Sequence, residues 1–305
     1  MRESILDKYG LDHINVTHIS QQFWCERQVE LSLQFPRQDT EESIAGTDIH
    51  KDLMLELVNE ISVGTMKRED EVYAGLLNIR TGLEQLLDEG MTRELKVFGR
   101  AAGFPVSGIV DQVSIKSGVA TVLDHKTRKK PTLPPPPSMK TTEIQVMLYK
   151  KLLDDLRLGK YRYDDFIEDT GLDRLERISP EFRDELINNR FEVDTDSVPE
   201  MAKRVIDMYR ALPEISEYII VKYIHQDTMD HLGDRVVLYD EGHLEDKLKH
   251  AGKFWDSSRK ACRVGFREKW KCNYCEYRNS LCASDRTAQE STAASVDINA
   301  ATGDQ

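Results

Sequence analysis

The sequence predicts an α/β chain of the α+β kind, and three observations carry that reading. Amphipathic helical patterns fill the first 90 residues. Three short β-rich runs, TRELKVFG, FPVSGIVDQVSI and VATVLDHKT, then follow one another with glycine punctuation at Gly103 and Gly118. Helical periodicity resumes, broken once by a second pair of β-rich runs around Gly233.

Residues 16–35 form a predicted helix, with Thr17 or Ser20 as its cap. Residues 43–61 predict a second helix, with Ile49, Leu53, Leu57 and Ile61 on one stripe. Residues 69–90 predict a third, ended by Gly90. The three β runs read as an antiparallel meander. RKKPTLPPPPSMK is a proline-rich loop, and EIQVMLYKKLLDDL after it is a helix. Residues 159–215 are charged and mostly helical. EYIIVKYIHQ and DRVVLYD predict a hairpin around Gly233, and HLEDKLKHAGKFW one more helix. The tail from Ser284, rich in Ala, Thr, Ser and Asp, has the composition of a disordered segment.

The chain has 305 residues, a formal net charge of −12 and five cysteines. No apolar run approaches the roughly 20 residues that span a bilayer, so no membrane partner is expected. MRESILDKYG lacks the apolar core of a secretion signal and is a poor transit peptide. The negative balance weighs mildly against nucleic-acid binding, but a nuclease needs local carboxylates for metal, and its basic track can be short. Without a secretion signal, five cysteines point to metal ligation rather than to disulfides.

The stretch from Gly108 to Tyr149 carries the chemistry. Asp111 ends the run GIVD. Asp124 and Lys126 in LDHKTR stand two apart, which puts them on one face of a strand. Hairpin pairing brings Asp111 beside them. Two carboxylates and an ammonium suit hydrolysis of a phosphodiester with Mg²⁺ or Mn²⁺, and the lysine orients or deprotonates the attacking water. A scatter of surface charges would give the same pattern by chance, so context decides. Gln145 and Tyr149, one turn apart on the following helix, line a nucleic-acid path beside the acids. His50, in GTDIH, reads as an ordinary helix histidine or, with these acids, as a metal ligand. Arg128, Lys129 and Lys130 follow the catalytic strand and are placed to meet phosphates. Phe23 and Trp24 offer stacking surfaces but are expected in the core.

Cys272, Cys275 and Cys282 form C-x₂-C-x₆-C, and Cys25 is the better fourth ligand, since Cys262 lies in an unremarkable basic stretch. Four thiolates suit a 4Fe–4S cluster or zinc alike. Either would staple the first long helix to the last cysteine segment.

Together these motifs resemble a known group. GIVD, DHKTR and the Gln145–Tyr149 pair look like the RecB-type branch of the PD-(D/E)XK nucleases. Cys25 with the C-terminal triad resembles its iron–sulfur version, which includes the CRISPR-associated Cas4-like nucleases. FWCE, AGTDIH, TRELKVFG, IQVMLYKKLLDDL, VKYIHQDT and WKCNYC are more similar still to the exonuclease V family, over residues 15–283. The resemblance implies a restriction-endonuclease-like core with a mixed central sheet, within one domain over residues 1–283. In that domain a nuclease core spans about 43–158, a helical and hairpin region 159–260, and a cysteine-rich segment 261–283, with a disordered tail over 284–305. It implies an exonuclease specific for single-stranded DNA, which threads a free end through a channel and serves genome maintenance. The family's metal-binding acids fall on Asp111 and Asp124, its lysine on Lys126, its motif histidine on His50, and its 4Fe–4S cysteines on Cys25, Cys272, Cys275 and Cys282. Asp124 stands where relatives often carry Glu, which the motif permits. Glu94 is carried as a further metal-site acid. The expected setting is a monomer in the nucleus, with cytoplasm and mitochondrion as alternatives, and a single-strand-binding protein as partner. The competing readings are a Cas4-like nuclease, usually shorter and without the 160–217 segment, and a non-catalytic iron–sulfur DNA-binding protein, which would be expected to lose one of the three catalytic residues.

Overall fold

The computed structural model describes residues 3–35, 64, 67–172 and 176–282. The predicted helix 43–61, with His50, and the predicted disordered tail lie outside the described residues.

A short helix α1 (Ile5–Tyr9) and a two-residue strand β1 (Ile14–Asn15) lead into helix α2 (Val16–Gln34). Helix α3 (Arg68–Glu89) ends at Gly90, whose φ of 78° is the left-handed cap that glycine adopts most easily. The meander follows as β2 (Met91–Ala101), β3 (Phe104–Lys116) and β4 (Val119–Arg128). Helix α4 (Lys140–Arg157) comes next, then α5 (Tyr163–Thr170), α6 (Pro180–Asn188) and α7 (Val198–Arg210). Strands β5 (Glu214–Ile215), β6 (Tyr218–His225) and β7 (His231–Leu238) precede helix α8 (Glu241–Trp255). A 3₁₀ segment over Phe266–Tyr274 carries the first of the clustered cysteines.

The sheet is mixed. β2 and β4 pair antiparallel with β3, while β6 runs parallel to β4 and antiparallel to β7. The parallel β4–β6 pair requires a crossover, which the helices α4 to α7 supply. This is the α/β core with a mixed central sheet that the resemblance implies. One hydrophobic cluster runs from Ile5 to Trp255, and α4 is central to it, with Leu148, Leu152, Leu153 and Leu156 fully buried. That burial fixes the helix against the sheet and so fixes the height of Gln145 and Tyr149 over the strands.

Two local readings change. Neither Thr17 nor Ser20 caps α2; the N-cap is Asn15, with no side-chain cap bond, because strand β1 runs directly into the helix. Gly233 is not the hairpin turn. The turn lies at Gln226–Asp230, and Gly233 sits inside β7 with φ 135°, opposite Tyr223 beside a register shift. Glycine there serves the bulge rather than the turn.

Candidate active site

The strand register assembles the acids. Arg93 pairs with Gln112 and Leu95 with Val110, which sets Glu94 level with Asp111. Gln112 pairs with Leu123, so the next step sets Asp111 level with Asp124. Glu94, Asp111 and Asp124 therefore form one row across β2, β3 and β4. Glu94 has a φ of 51°, a left-handed conformation that costs a non-glycine residue roughly 1–3 kcal/mol and gathers at functional sites. Asp124, at 1% exposure, lies in the floor of the sheet.

Lys126 completes the row. Its Nζ stands 3.1 Å from Asp124 Oδ2 and donates to Gln145 Oε1 at 3.2 Å. Gln145 Nε2 in turn donates to the Tyr149 hydroxyl at 3.0 Å. Asp111 Oδ2 accepts the His125 backbone N–H at 2.6 Å, which holds the carboxylate against β4. Burial alone would lower the Lys126 pKa, but Asp124 and Asp111 outweigh it and raise the value. Burial, with added repulsion from Asp124, Asp111 and Glu94, pushes the Tyr149 phenol up. It stays a neutral hydrogen-bonding group. Tyr223, level with Lys126 on β6, has its pKa raised by burial and by Asp124. Nothing in the sequence marks Tyr223, because its proximity comes from the parallel β4–β6 register alone.

Gly108 lets the helix approach. A Cβ there would stand 2.7 Å from Tyr149 Cε1 and 2.7 Å from Val16 Cγ2, so the glycine of GIVD is a packing requirement of the site. Arg128 ends β4, and Lys129 and Lys130 are exposed just beyond it.

A second constellation forms midway along α2. Helix α2 breaks at Cys25, whose backbone is extended (φ −164°, ψ 110°). Cys25, Cys272, Cys275 and Cys282 line one small cavity, while Cys262 is exposed outside it. Burial raises the Cys25 thiol pKa, opposed by backbone N–H groups of Gln28, Val264 and Arg27 that point at the sulfur. Burial raises Cys275 likewise. At the break the Arg27 N–H turns to the Cys262 carbonyl at 3.1 Å, and the buried Lys271 ammonium reaches the Phe23 and Trp24 carbonyls, both at 3.4 Å. Next to Cys25, Glu26 receives both terminal nitrogens of Arg259 and accepts the Cys262 N–H at 2.8 Å. Protein contacts alone thus join α2 to the segment after α8. Trp24 stacks edge-on against Trp270, and Phe23 packs partly buried against the core.

Among the described residues, no group of three or more His, Cys, Asp or Glu side chains already stands at metal-holding geometry. The donor chemistry nevertheless suits two different groups. The strand row offers hard carboxylate oxygens, which match Mg²⁺ or Mn²⁺. The cavity offers four thiols with backbone N–H groups aimed at one sulfur, which matches an iron–sulfur cluster or zinc.

Sequence comparison decides the family. The family model described as "Exonuclease V - a 5' deoxyribonuclease" matches residues 6–121, 116–203 and 195–283. The chain belongs to the exonuclease V family. It is a DNA exonuclease. A zebrafish (Danio rerio) exonuclease V is 28% identical over 306 aligned positions, which cover 95% of this chain and 76% of that protein. Among solved structures, SSO0001 gives a TM-score of 0.40 at 12% identity, covering 87% of this chain and 83% of that one. A candidate exonuclease from Eubacterium rectale gives 0.37 at 11%, covering 84% and 85%. Both superpositions are too loose to bear on the site. The stretches GIVD, with Gly108 and Asp111, and LDHKTR, with Asp124 and Lys126, lie within the matched residues.

Proposed function

We propose that this exonuclease V member hydrolyses single-stranded DNA from a free end, with the 5′ end favoured by the family's description, and that it does so with bound Mg²⁺ or Mn²⁺. One observation carries the reading: Glu94, Asp111 and Asp124 stand level on three adjacent strands, with the Lys126 ammonium 3.1 Å from the last of them. Asp111 and Asp124 hold the metal, with Glu94 as the third acid. His50, outside the described residues, is assigned to the same centre on its motif. When bound, the metal lowers the pKa of water and offsets charge on the scissile phosphate.

The chain's own groups do the positioning. Lys126 is held between Asp124 and Gln145, where it orients the attacking water and stabilises developing negative charge. Tyr149 sets the rotamer of Gln145 through their hydrogen bond and so sets where Lys126 points. Arg128, Lys129 and Lys130 lead the sugar–phosphate backbone toward the row. Single strands fit this site because the reactive row lies in the sheet floor under α4, where a free strand reaches more readily than a rigid duplex.

The four cysteines are assigned to a 4Fe–4S cluster of structural role. The break in α2 supports this, since it gives up a stretch of helix to aim Cys25 at the C-terminal thiols. Genome maintenance in the nucleus is the setting consistent with such an activity. The test is divalent-metal-dependent release of nucleotides from single-stranded DNA. Asp124→Ala and Lys126→Ala should abolish it while leaving DNA affinity within a few-fold. Undiminished cleavage by Asp124→Ala would remove the site assignment.

A further inference from the structure

The 3₁₀ segment Phe266–Tyr274 does more than present Cys272. Phe266 is 84% exposed, Tyr274 69% and Trp270 39%. They recur every four residues, and Trp270 and Tyr274 stand with ring centroids 6.4 Å apart. Phe266 and Tyr274 are displayed to solvent, and Trp270, which packs edge-on against Trp24, keeps part of its ring exposed beside Tyr274. Cations are interleaved with them: Lys269 lies over the Phe266 ring at 4.9 Å, and Arg267 is adjacent. Between Arg259 and Arg278 the chain carries seven Lys and Arg against two Glu, whereas the whole chain carries a net −12. A locally basic, aromatic surface on an acidic protein is selective for a polyanion with flat faces.

Its position matters as much as its composition. Tyr274 shares a shallow pocket with Ser138 and Thr141, and Glu268 pairs with Lys140 at 3.7 Å. Thr141 lies one turn before Gln145 on α4, about 6 Å along the helix axis, and Gln145 accepts from Lys126. The surface therefore borders the catalytic row along the first turns of α4.

We propose that Phe266, Trp270 and Tyr274, with Arg267 and Lys269, form an accessory platform that stacks successive bases of single-stranded DNA on its way to or from the catalytic row. The proposal rests on the exonuclease reading above. It gives the cysteine segment a binding role separate from any cluster that it holds.

The experiment measures binding of a fluorescein-labelled oligothymidylate to the full chain by anisotropy, in EDTA to prevent cleavage. Steady-state hydrolysis of the same strand with Mg²⁺ runs in parallel. Losing one stacked base weakens binding about 5- to 150-fold. Phe266→Ala/Tyr274→Ala should raise Kd at least about tenfold and raise KM with it, with kcat changed less than about twofold. Tyr274→Phe and Phe266→Tyr, which keep the rings, should bind as wild type. Trp270 fluorescence should be quenched on binding. Equal melting temperatures and equal iron content would show that the double variant is folded and loaded.

Wild-type protein that binds and cleaves single strands, with a double variant matching its Kd within twofold, would overturn the platform alone. Wild-type protein that neither binds nor cleaves them would overturn the exonuclease reading and the platform together. Loss of binding to anionic phospholipid vesicles with DNA affinity intact would assign the patch to a membrane surface and overturn the proposal.

Discussion

Replacing Gly108 with Ala tests the link between packing and catalysis at a single carbon atom. The new Cβ would lie 2.7 Å from Tyr149 Cε1 and 2.7 Å from Val16 Cγ2, where ordinary contact begins at 3.4 Å. One neighbour must retreat by about 0.7 Å, a gap taken from those two distances. Val16 is fully buried and Tyr149 is 3% exposed, so a retreat by either disturbs packed side chains. Overpacking of this kind costs about 1–3 kcal/mol, which lowers the melting temperature by roughly 2–10 °C for a domain of this size. The catalytic effect should be larger. Tyr149 holds Gln145 at 3.0 Å, and Gln145 holds Lys126 at 3.2 Å. A displacement of the ring by most of an ångström is passed to the ammonium, and misplacement by about 1 Å can cost about 10²-fold in rate. Gly108→Ala should therefore lower kcat about 10- to 100-fold at a temperature where the variant is still folded. Gly75→Ala is the control. Gly75 lies inside α3, and a Cβ added there would meet nothing within 4 Å, so Ala should stabilise by about 0.5–1 kcal/mol. Thermal melts by circular dichroism and initial rates on single-stranded DNA make the comparison. A Gly108→Ala protein with wild-type kcat would refute the chain from Gly108 through Tyr149 to Lys126.

Three further outcomes are expected. Glu26→Ala strips Arg259 of a bidentate partner and the Cys262 N–H of its acceptor; breaking such a pair at a 4% exposed carboxylate costs about 3 kcal/mol. Its melting temperature should fall by roughly 6–12 °C, even in a variant already lacking the cluster cysteines, and a change below about 2 °C would show that the protein staple is idle. Lys129→Glu/Lys130→Glu should weaken DNA binding and flatten its dependence on salt; an unchanged slope in a titration from low to moderate salt would leave these lysines as solubility residues. Cys275→Ala should remove the broad absorbance near 400 nm of anaerobically purified protein, whereas Cys262→Ala should keep it. Stoichiometric zinc without iron would instead replace the cluster and keep the four ligands.

The strands of the meander are legible in the sequence because alternation and glycine punctuation are local signals. GIVD and DHKT also give their acids and lysine directly, since spacing by two fixes a strand face. Glu94 is another matter. Its place beside Asp111 follows from the β2–β3 register and from a left-handed backbone, and neither is written in residue spacing. Tyr223 likewise enters the site through a parallel pairing across nearly 100 residues of sequence. The meeting of Cys25 with the C-terminal triad is readable by elimination, but its means is not. The break in α2 and the reach of Lys271 to the Phe23 and Trp24 carbonyls are tertiary events. Gly233 shows the reverse effect: a strong local signal for a turn marks a position that the fold uses for a bulge.

Incubation of anaerobically purified protein and Mg²⁺ with 5′-labelled, 3′-labelled and circular single-stranded DNA tests the central claim most directly. The account predicts that both linear strands are degraded, that the 5′ label is released first, and that circles of the same sequence persist. Cleavage of the circles at the linear rate, or degradation of linear strands without any divalent metal, would contradict it.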